Sequence, residues 1–152
     1  MRTRTLGHRL REGRWSEAGR VYLLTAVTDG RCPVFSDWRL GRLLVHEMRG
    51  AHEQGLVSSL AWVVMPDHVH WLIELRECTL GELMCRVKSR SSLTISLARQ
   101  GQGRLWQKGY HDRALRTEDN LKHAARYVVA NPLRAGLVER LGDYPLWDAI
   151  WL

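Results

Sequence analysis

Two apolar segments separated by only two residues limit the folds open to this chain more than any other stretch of its sequence. Leu56 to Met65 is apolar and rich in β-branched residues, and Pro66-Asp67 interrupts it. The following segment, His68 to Leu75, largely alternates in polarity, as the residues of a strand do. The two segments are therefore predicted to be strands that lie next to each other.

Strands and helices alternate in the rest of the chain. Further strands are predicted at Val21 to Thr28 and, less regularly, at Leu105 to Leu115. Helices are predicted from Asp37 to Gln54, from the capping box at Thr79 to about Arg99, and from Thr117 through Tyr127 toward Asn131-Pro132. This order predicts an α+β fold, a ferredoxin-like β-α-β-β-α-β sandwich with an added C-terminal helix that carries the tyrosine. Another order of the four strands stays open, because the sequence does not determine which strands pair.

The length and composition predict one globular domain with a polyanionic partner. The chain has 152 residues, of which 45% are hydrophobic and 26% charged, so it can bury a core. It has 23 lysines and arginines against 16 acidic residues, and the net charge of +7 makes nucleic acid the first candidate partner. No apolar run approaches the roughly 18 residues of a membrane span. Three cysteines without a CxxC pair indicate a reducing, cytoplasmic compartment.

Residues 1–20 are predicted to form a basic arm ahead of a single domain over residues 21–152. The arm contains six arginines and only two acidic residues. Such an arm can follow a DNA backbone or enter a groove, and a tryptophan within it can stack on a base. The predicted DNA contacts of the arm are Arg2, Arg4, Arg9, Arg11, Arg14 and Trp15.

The second of the adjacent strands carries two histidines with one residue between them. Side chains two apart in a strand share a face, so His68 and His70 project one way while Val69, Trp71 and Ile73 project into a core. Two imidazoles on one face can bind one divalent ion if a third ligand arrives from elsewhere. Taken alone, the pair is more often the polar face of a half-buried strand.

The last predicted helix carries a tyrosine and an asparagine one turn apart. Its apolar stripe, which must face the core, consists of Leu121, Ala124, Ala125, Val128 and Val129. Tyr127 lies at the margin of this stripe, and Asn131 lies on the same side with its Cβ about 5–6 Å from that of Tyr127. Taken alone, Tyr127 is compatible with amphipathic packing, and Asn131 with a helix end before Pro132.

Together, the two pairs predict a site for metal-assisted phosphodiester transfer. That chemistry needs a divalent cation on the scissile phosphate and a nucleophile in line with it. His68, His70 and the side-chain carbonyl of Asn131 can hold the ion, and Tyr127 then lies near it. A neighbouring cation favours a deprotonated phenol, and a covalent intermediate splits the reaction into two transesterifications.

Three motifs in order make the sequence resemble the REP-associated tyrosine transposases, a branch of the single-tyrosine HUH endonucleases. They are MPDHVHWLIEL, LWQKGYHDRALR and YVVANPLRAGLV, and the resemblance runs from about Val21 to Trp147. It implies that His68 and His70 are the HUH pair, Tyr127 the catalytic tyrosine and Asn131 the third metal ligand. It also implies Mg²⁺ or Mn²⁺ as the ion.

The resemblance further implies cleavage of single-stranded DNA near repetitive extragenic palindromes, which are bacterial hairpins flanked by a short guide tetranucleotide. The tyrosine would form a 5′-phosphotyrosine bond and leave a free 3′-OH, and rejoining would reverse this step during DNA transposition and recombination. The resemblance implies a monomer that works on DNA in the cytoplasm and not at a membrane. A dimer with shared active sites stays open.

Further residues are candidates for supporting roles. His123 precedes Tyr127 by one turn and is a candidate base or orienting residue, although a solvated histidine is the more common finding at such a position. Arg113 and Arg116 are candidate phosphate contacts, with a surface ion pair to Asp112 as the alternative. Trp106, two residues from both Arg104 and Lys108, is a candidate for stacking on a base.

Two other functions are compatible with the same features. One is a catalytically silent regulator that binds the hairpin through the basic surface and needs no tyrosine. The other is a metal-dependent nuclease in which water attacks the phosphate. The presence of both histidines with Tyr127 and Asn131 favours the transferase over the regulator, and a covalent adduct would distinguish it from the nuclease.

Overall fold

The computed structural model describes residues 19–101 and 103–150. Its strands and helices, in chain order, are β1 (Val21–Val27), α1 (Trp38–Glu53), β2 (Val57–Met65), β3 (His68–Leu75), α2 (Leu80–Ala98), β4 (His111–Leu115), α3 (Glu118–Arg134) and β5 (Trp147–Ala149). Short 3-10 turns lie at Asp29–Arg31, Val34–Ser36 and Leu141–Asp143. Within the described ranges, no helix has the length and apolar character needed to cross a membrane.

The five strands form one antiparallel sheet in the order β4-β1-β3-β2-β5. The first four strands have the order of a ferredoxin-like sandwich, with β2 and β3 adjacent as the two-residue connection predicts. The fifth strand is not predicted from the sequence. Because β5 has only three residues, its alternation carries no signal, and its place beside β2 depends on tertiary packing.

Helices cover both faces of the sheet. α1 and α2 pack on one face, where the main core takes three side chains of β3, namely Val69, Trp71 and Ile73. α3 packs on the opposite face, where a smaller core contains Leu72 of β3 together with Val128 and Val129 of the helix. Because strand side chains alternate between faces, His68 and His70 lie on the face that α3 covers.

Side-chain caps begin all three helices at the predicted positions. Asp37 caps α1, and Thr117 caps α3, each by accepting a hydrogen bond from a backbone N–H of the first turn. Thr79 and Glu82 form the reciprocal capping box at the start of α2. Each cap provides a partner for an N–H that the helix itself leaves unpaired.

Helix α3 continues past the position at which the sequence predicts its end. Pro132 is buried inside the helix, which ends at Arg134. Since proline has no N–H, the carbonyl four residues earlier, that of Val128, loses its usual donor. The side-chain amide of Asn131 lies 3.2 Å from this oxygen and donates in its place. The substitute hydrogen bond and the burial of Pro132 explain why the last turn forms.

Only the last five residues of the strand predicted from Leu105 to Leu115 form β4. The preceding segment is a loop, and Lys88 of α2 holds it. Nζ of Lys88 donates to the carbonyl oxygens of Gln107 at 2.9 Å and Gly109 at 2.6 Å. The Lys88 side chain thus provides partners for two carbonyls of this loop, while Leu105 and Gln107 exchange single hydrogen bonds with the backbone of Asp29 and Val27.

The indole of Trp106 is part of the core. Its side chain is buried beside Phe35, and its Nε1 donates to Oγ of Ser91 at 3.0 Å. Its backbone forms an isolated bridge with Thr28. The expectation that Trp106 stacks on a base is therefore wrong, because its ring is enclosed and its polar atom is already bonded.

Candidate active site

His68 and His70 lie side by side on the sheet face covered by α3. Their ring centroids are 4.8 Å apart. His70 is 9% exposed, whereas the side chain of His68 is 18% exposed. The structure thus brings the two predicted ligands together next to the helix that carries the predicted tyrosine.

Each histidine has one ring nitrogen held by a neighbouring side chain. Nδ1 of His68 lies 2.7 Å from Oδ1 of Asp67, and Nδ1 of His70 lies 2.8 Å from Oγ1 of Thr25. Metal-binding histidines commonly donate one ring N–H to such an oxygen, which fixes the ring and leaves the other nitrogen as the ligand. With the proton on Nδ1, the Nε2 atoms of both rings retain the lone pair that a metal ion requires.

Asp67 carries the charge that suits this role. Partial burial raises its pKa, but hydrogen bonds from His68 and Arg31 lower the pKa further, so that it lies below its ordinary value. Nη1 of Arg31 lies 3.1 Å from Oδ2 of Asp67. An ionised carboxylate accepts a stronger hydrogen bond than a neutral one, so Asp67 holds the His68 ring firmly.

His70 is neutral at physiological pH. Burial lowers the pKa of His70 to about 4, and electrostatic interactions with His68 and Arg134 act in the same direction. A neutral imidazole is the form that ligates metal ions, so this ring needs to release no proton before it binds one.

Tyr127 reaches the histidine pair from α3. Its ring meets that of His70 edge to face, with the centroids 5.6 Å apart. The neighbouring Ala124 and Val128 are buried in the smaller core, whereas Tyr127 is 48% exposed. The tyrosine therefore sits at the margin of the apolar stripe, where its ring contacts a histidine and remains open to solvent.

Asn131 has its amide group oriented by the helix. Nδ2 donates to the carbonyl oxygens of Tyr127 at 2.9 Å and Val128 at 3.2 Å. Because both partners are acceptors, the nitrogen is the atom turned toward the helix backbone, and Oδ1 is left to accept from another group. Asn131 Oδ1 is thus the atom that can serve as a cation ligand.

The chemistry of these side chains fits a divalent cation. Among residues 19–101 and 103–150, no group of three His, Cys, Asp or Glu side chains could hold a metal ion. A cation at His68 and His70 would therefore need a ligand of another type. Imidazole nitrogens combined with an amide oxygen are a donor set that divalent ions accept.

A cleft of about 460 Å³ opens beside Tyr127 and His70. It is bounded by β1, β4 and α3, and its other lining residues are Leu23, Thr25, His111, Asp112, Arg113, His123 and Ala124. The lining combines apolar side chains with imidazole and guanidinium groups and the carboxylate of Asp112. Such a surface can accommodate a sugar–phosphate chain and the bases attached to it.

The predicted supporting residues occupy different places around this cleft. His123 and Arg113 both line it, whereas Arg116 is exposed and does not. In the part of the chain that the structure describes, no hydrogen bond joins His123 to Tyr127, and no ion pair joins Asp112 to either arginine. The roles of these side chains stay predictions.

The predicted contacts of the basic arm, Arg2, Arg4, Arg9, Arg11, Arg14 and Trp15, lie outside the described residues. Sequence analysis does not single out Thr25 or Asp67. Asp67 has a local signal, since it directly precedes His68, but Thr25 lies 45 residues before His70 and becomes its neighbour only through strand pairing.

Comparison with known families and proteins gives consistent matches. The IS200-like transposase family matches residues 20–131. A REP-associated tyrosine transposase of Escherichia coli (strain K12) is 25% identical over 87 residues, which are 56% of this chain and 50% of that protein. The chain thus spans about half the length of this relative. A candidate REP-associated tyrosine transposase of Haemophilus influenzae is 22% identical over 143 residues, or 84% of this chain and 78% of that protein.

A solved structure has the same fold. It is a REP-associated tyrosine transposase bound to a REP hairpin, with a TM-score of 0.73 and 22% identity, and the match covers 88% of this chain and 79% of that chain. The predicted α+β fold is confirmed by this similarity. The family resemblance inferred from the three sequence motifs is likewise confirmed by the family match.

Proposed function

Because the chain belongs to the IS200-like transposase family, we propose that it is a metal-dependent endonuclease and strand-transferase for single-stranded DNA at REP-type hairpins. One observation carries the proposal. Two histidines with oriented rings lie beside a half-exposed tyrosine, whose ring meets that of His70 edge to face at the cleft. The protein in the similar solved structure is bound to a REP hairpin, which supports the same substrate class here.

A cation such as Mg²⁺ or Mn²⁺, when held by His68, His70 and Asn131, would neutralise charge on the scissile phosphate and favour loss of the Tyr127 proton. Asp67 and Thr25 would keep the two imidazoles turned toward it. The Asn131 amide would anchor to the helix carbonyls while its oxygen faces the site. These residues would thus provide a preorganised set of ligands.

Tyr127 would perform the covalent step. Its Oη attacks the phosphorus, a P–O bond to the tyrosine forms, and the bond from phosphorus to the 3′ oxygen breaks. The tyrosine proton is released, with His123 as a candidate acceptor, and the departing 3′ oxygen takes up a proton to become a 3′-OH. The products are a 5′-phosphotyrosine and a free 3′ end, and attack of a 3′-OH on this linkage rejoins the strand.

The cleft beside Tyr127 would receive the DNA strand. Arg113 would contact a phosphate there, and Arg116 and the arginines of the basic arm would contact the flanking backbone. We place this activity in the cytoplasm, where bacterial DNA lies. A monomer contains the histidines, the tyrosine and the asparagine that the proposal requires.

A cleavage assay tests the proposal. Single-stranded hairpin DNA from the flanks of the gene is labelled at its 3′ end and incubated with Mn²⁺ or with EDTA. We expect the label to become attached to the protein only when Mn²⁺ is present. Digestion with a protease should then abolish the shift of the labelled band. Tyr127→Phe should abolish the transfer and leave hairpin binding intact, whereas the matched variant Tyr110→Phe should behave like the wild type.

Two results would contradict the proposed mechanism. Cleavage without a protein adduct would indicate a metal-dependent nuclease in which water attacks. Tight hairpin binding with no cleavage of any flank would instead indicate a regulator that uses only the DNA-binding surface.

A further inference from the structure

Arg134 contacts Tyr127 at two points. Its Nη2 donates to the carbonyl oxygen of Tyr127 at 3.1 Å, and its guanidinium carbon lies 4.2 Å from the centroid of the tyrosine ring. A guanidinium over an aromatic face at this distance is attracted by the ring electrons. One side chain therefore contacts both the backbone and the ring of the same residue.

This contact exists because α3 continues through Pro132. Tyr127 and Arg134 are seven residues apart, which places them on one face of a helix two turns apart. If the helix ended at Asn131, Arg134 would not lie on the same helix face as Tyr127. The Asn131 amide, which donates to the carbonyl left by Pro132, thus also supports the position of Arg134.

Among the described residues, the Tyr127 ring has one further ring contact. It is 48% exposed, and the ring contact that it makes besides Arg134 is with His70, at 5.6 Å between centroids. A half-exposed aromatic side chain can adopt several rotamers, and the one in this structure places the Tyr127 ring edge to face against His70. The guanidinium of Arg134, which lies on one face of the ring, makes it less favourable for the Tyr127 side chain to leave that rotamer.

We propose that Arg134 is a positioning residue that holds Tyr127 in its attacking orientation, and not a DNA contact. The proposal rests on the proposed role of Tyr127 as the nucleophile. Since small displacements of a nucleophile reduce reaction rates strongly, loss of Arg134 should act on the rate of adduct formation and not on DNA affinity.

Three variants separate the contributions of Arg134. Arg134→Gln keeps a hydrogen-bond donor but removes the charge. Arg134→Lys keeps the charge and one donor but loses the planar group that lies flat on the ring. Arg126→Gln is the matched control, because Arg126 is an exposed arginine of the same helix, next to Tyr127 in sequence.

The first measurement is the single-turnover rate of adduct formation with saturating hairpin DNA and Mn²⁺, beside the hairpin affinity without metal. Arg134→Gln should lower the rate constant by about tenfold to a hundredfold and leave the affinity unchanged. Arg134→Lys should recover part of the rate, and Arg126→Gln should retain it. Reduced affinity with an unchanged rate would overturn the proposal and make Arg134 a phosphate contact.

The second measurement needs neither DNA nor chemistry. In protein labelled with 3-fluorotyrosine, the ¹⁹F resonance of Tyr127 is identified by its absence in Tyr127→Phe. Arg134→Gln should shift this resonance, and Arg126→Gln should not. An unshifted resonance in folded Arg134→Gln would overturn the proposal. If the wild type forms no adduct, the proposed function fails, while this spectrum still shows whether Arg134 contacts the ring.

Discussion

Oγ1 of Thr25 lies 2.8 Å from Nδ1 of His70, and the two residues face each other directly across strands β1 and β3. A hydroxyl on the neighbouring strand thus orients the more deeply buried of the two histidines. Asp67, in the two-residue connection between β2 and β3, does the same for His68. The site therefore depends on side chains that would not themselves touch a metal ion.

Replacing Thr25 tests this dependence. In Thr25→Val the His70 Nδ1 loses its partner, while the β-branched side chain still suits a strand. We expect the affinity for Mn²⁺ to fall by about 10- to 100-fold, measured by calorimetry without DNA. Thr25→Ser, which keeps the hydroxyl, is the control and should bind Mn²⁺ like the wild type. Equal affinity in Thr25→Val would show that the hydroxyl has no part in orienting His70.

Asn131→Asp should separate the two functions of the asparagine side chain. The carboxylate keeps an oxygen ligand but cannot donate to the carbonyls of Tyr127 and Val128. We expect the free energy of unfolding without metal to fall by about 1–3 kcal/mol, measured by urea denaturation. Added Mn²⁺ should restore part of it, because a ligand that binds only the folded state stabilises that state.

The control for this variant is Asn120→Asp in the first turn of the same helix. An acidic residue there interacts favourably with the helix N-terminus, so the free energy of unfolding should not decrease. If Asn131→Asp unfolds at the same urea concentration as the wild type, the amide hydrogen bonds do not stabilise the turn that contains Pro132.

Arg113→Gln should weaken the binding of single-stranded DNA and reduce its dependence on salt. Arg113 lines the cleft beside Tyr127, where a phosphate contact would release a bound counterion. We expect the slope of log K against log salt concentration to become shallower by about 0.7 for a single strand. Arg39→Gln removes an exposed charge from α1, on the opposite face of the sheet, and should leave this slope unchanged. An unchanged slope in Arg113→Gln would exclude the contact.

Tyr144→Phe should reveal a stabilising contact that is lost at high pH. Oη of Tyr144 donates to the carbonyl of Val64 on β2 at 2.6 Å, and burial raises the pKa of Tyr144 to about 12. Since an unfolded tyrosine titrates near pH 10, the contact stabilises the fold fully below that pH and is lost as the pH rises toward about 12. At neutral pH the variant should be about 1 kcal/mol less stable.

Urea denaturation of the wild type and of Tyr144→Phe from about pH 8 to about pH 12 measures this difference. The stability advantage of the wild type should be constant up to about pH 10 and then shrink. A constant difference over the whole range would mean that folding does not raise the pKa of Tyr144 above that of an unfolded tyrosine.

Local patterns were sufficient to predict much of the architecture. His68 to Leu75 has the predicted bounds, and strand alternation alone places His68 and His70 on one face. The helix starts at Asp37, Thr79 and Thr117 follow from side chains that cap the backbone within three residues. Such features depend on neighbours in the sequence, so no knowledge of the fold is needed to recognise them.

Contacts between distant residues could not be read in the same way. The loop before β4 looks like a strand, but Lys88 and Ser91 of α2 provide the hydrogen bonds for it and for Trp106. The segment was predicted to be part of a strand, but Trp106 forms only an isolated bridge with Thr28, and its indole bonds to Ser91 of α2. In this loop the adjacent Leu105 and Trp106 are both buried, whereas the next three residues are exposed, so it lacks the alternation of a strand with one buried face.

The candidate residues of the site and the order of its strands and helices could be recognised from the sequence alone. Periodicity and capping involve only a few neighbouring residues, so they need no knowledge of the fold. The pairing register that places Thr25 against His70, and the passage of α3 through Pro132 that places Arg134 against Tyr127, were settled by packing. Proline interrupts a helix by its local chemistry. Here its burial and the Asn131 amide offset that cost, and both contributions exist only in the folded chain.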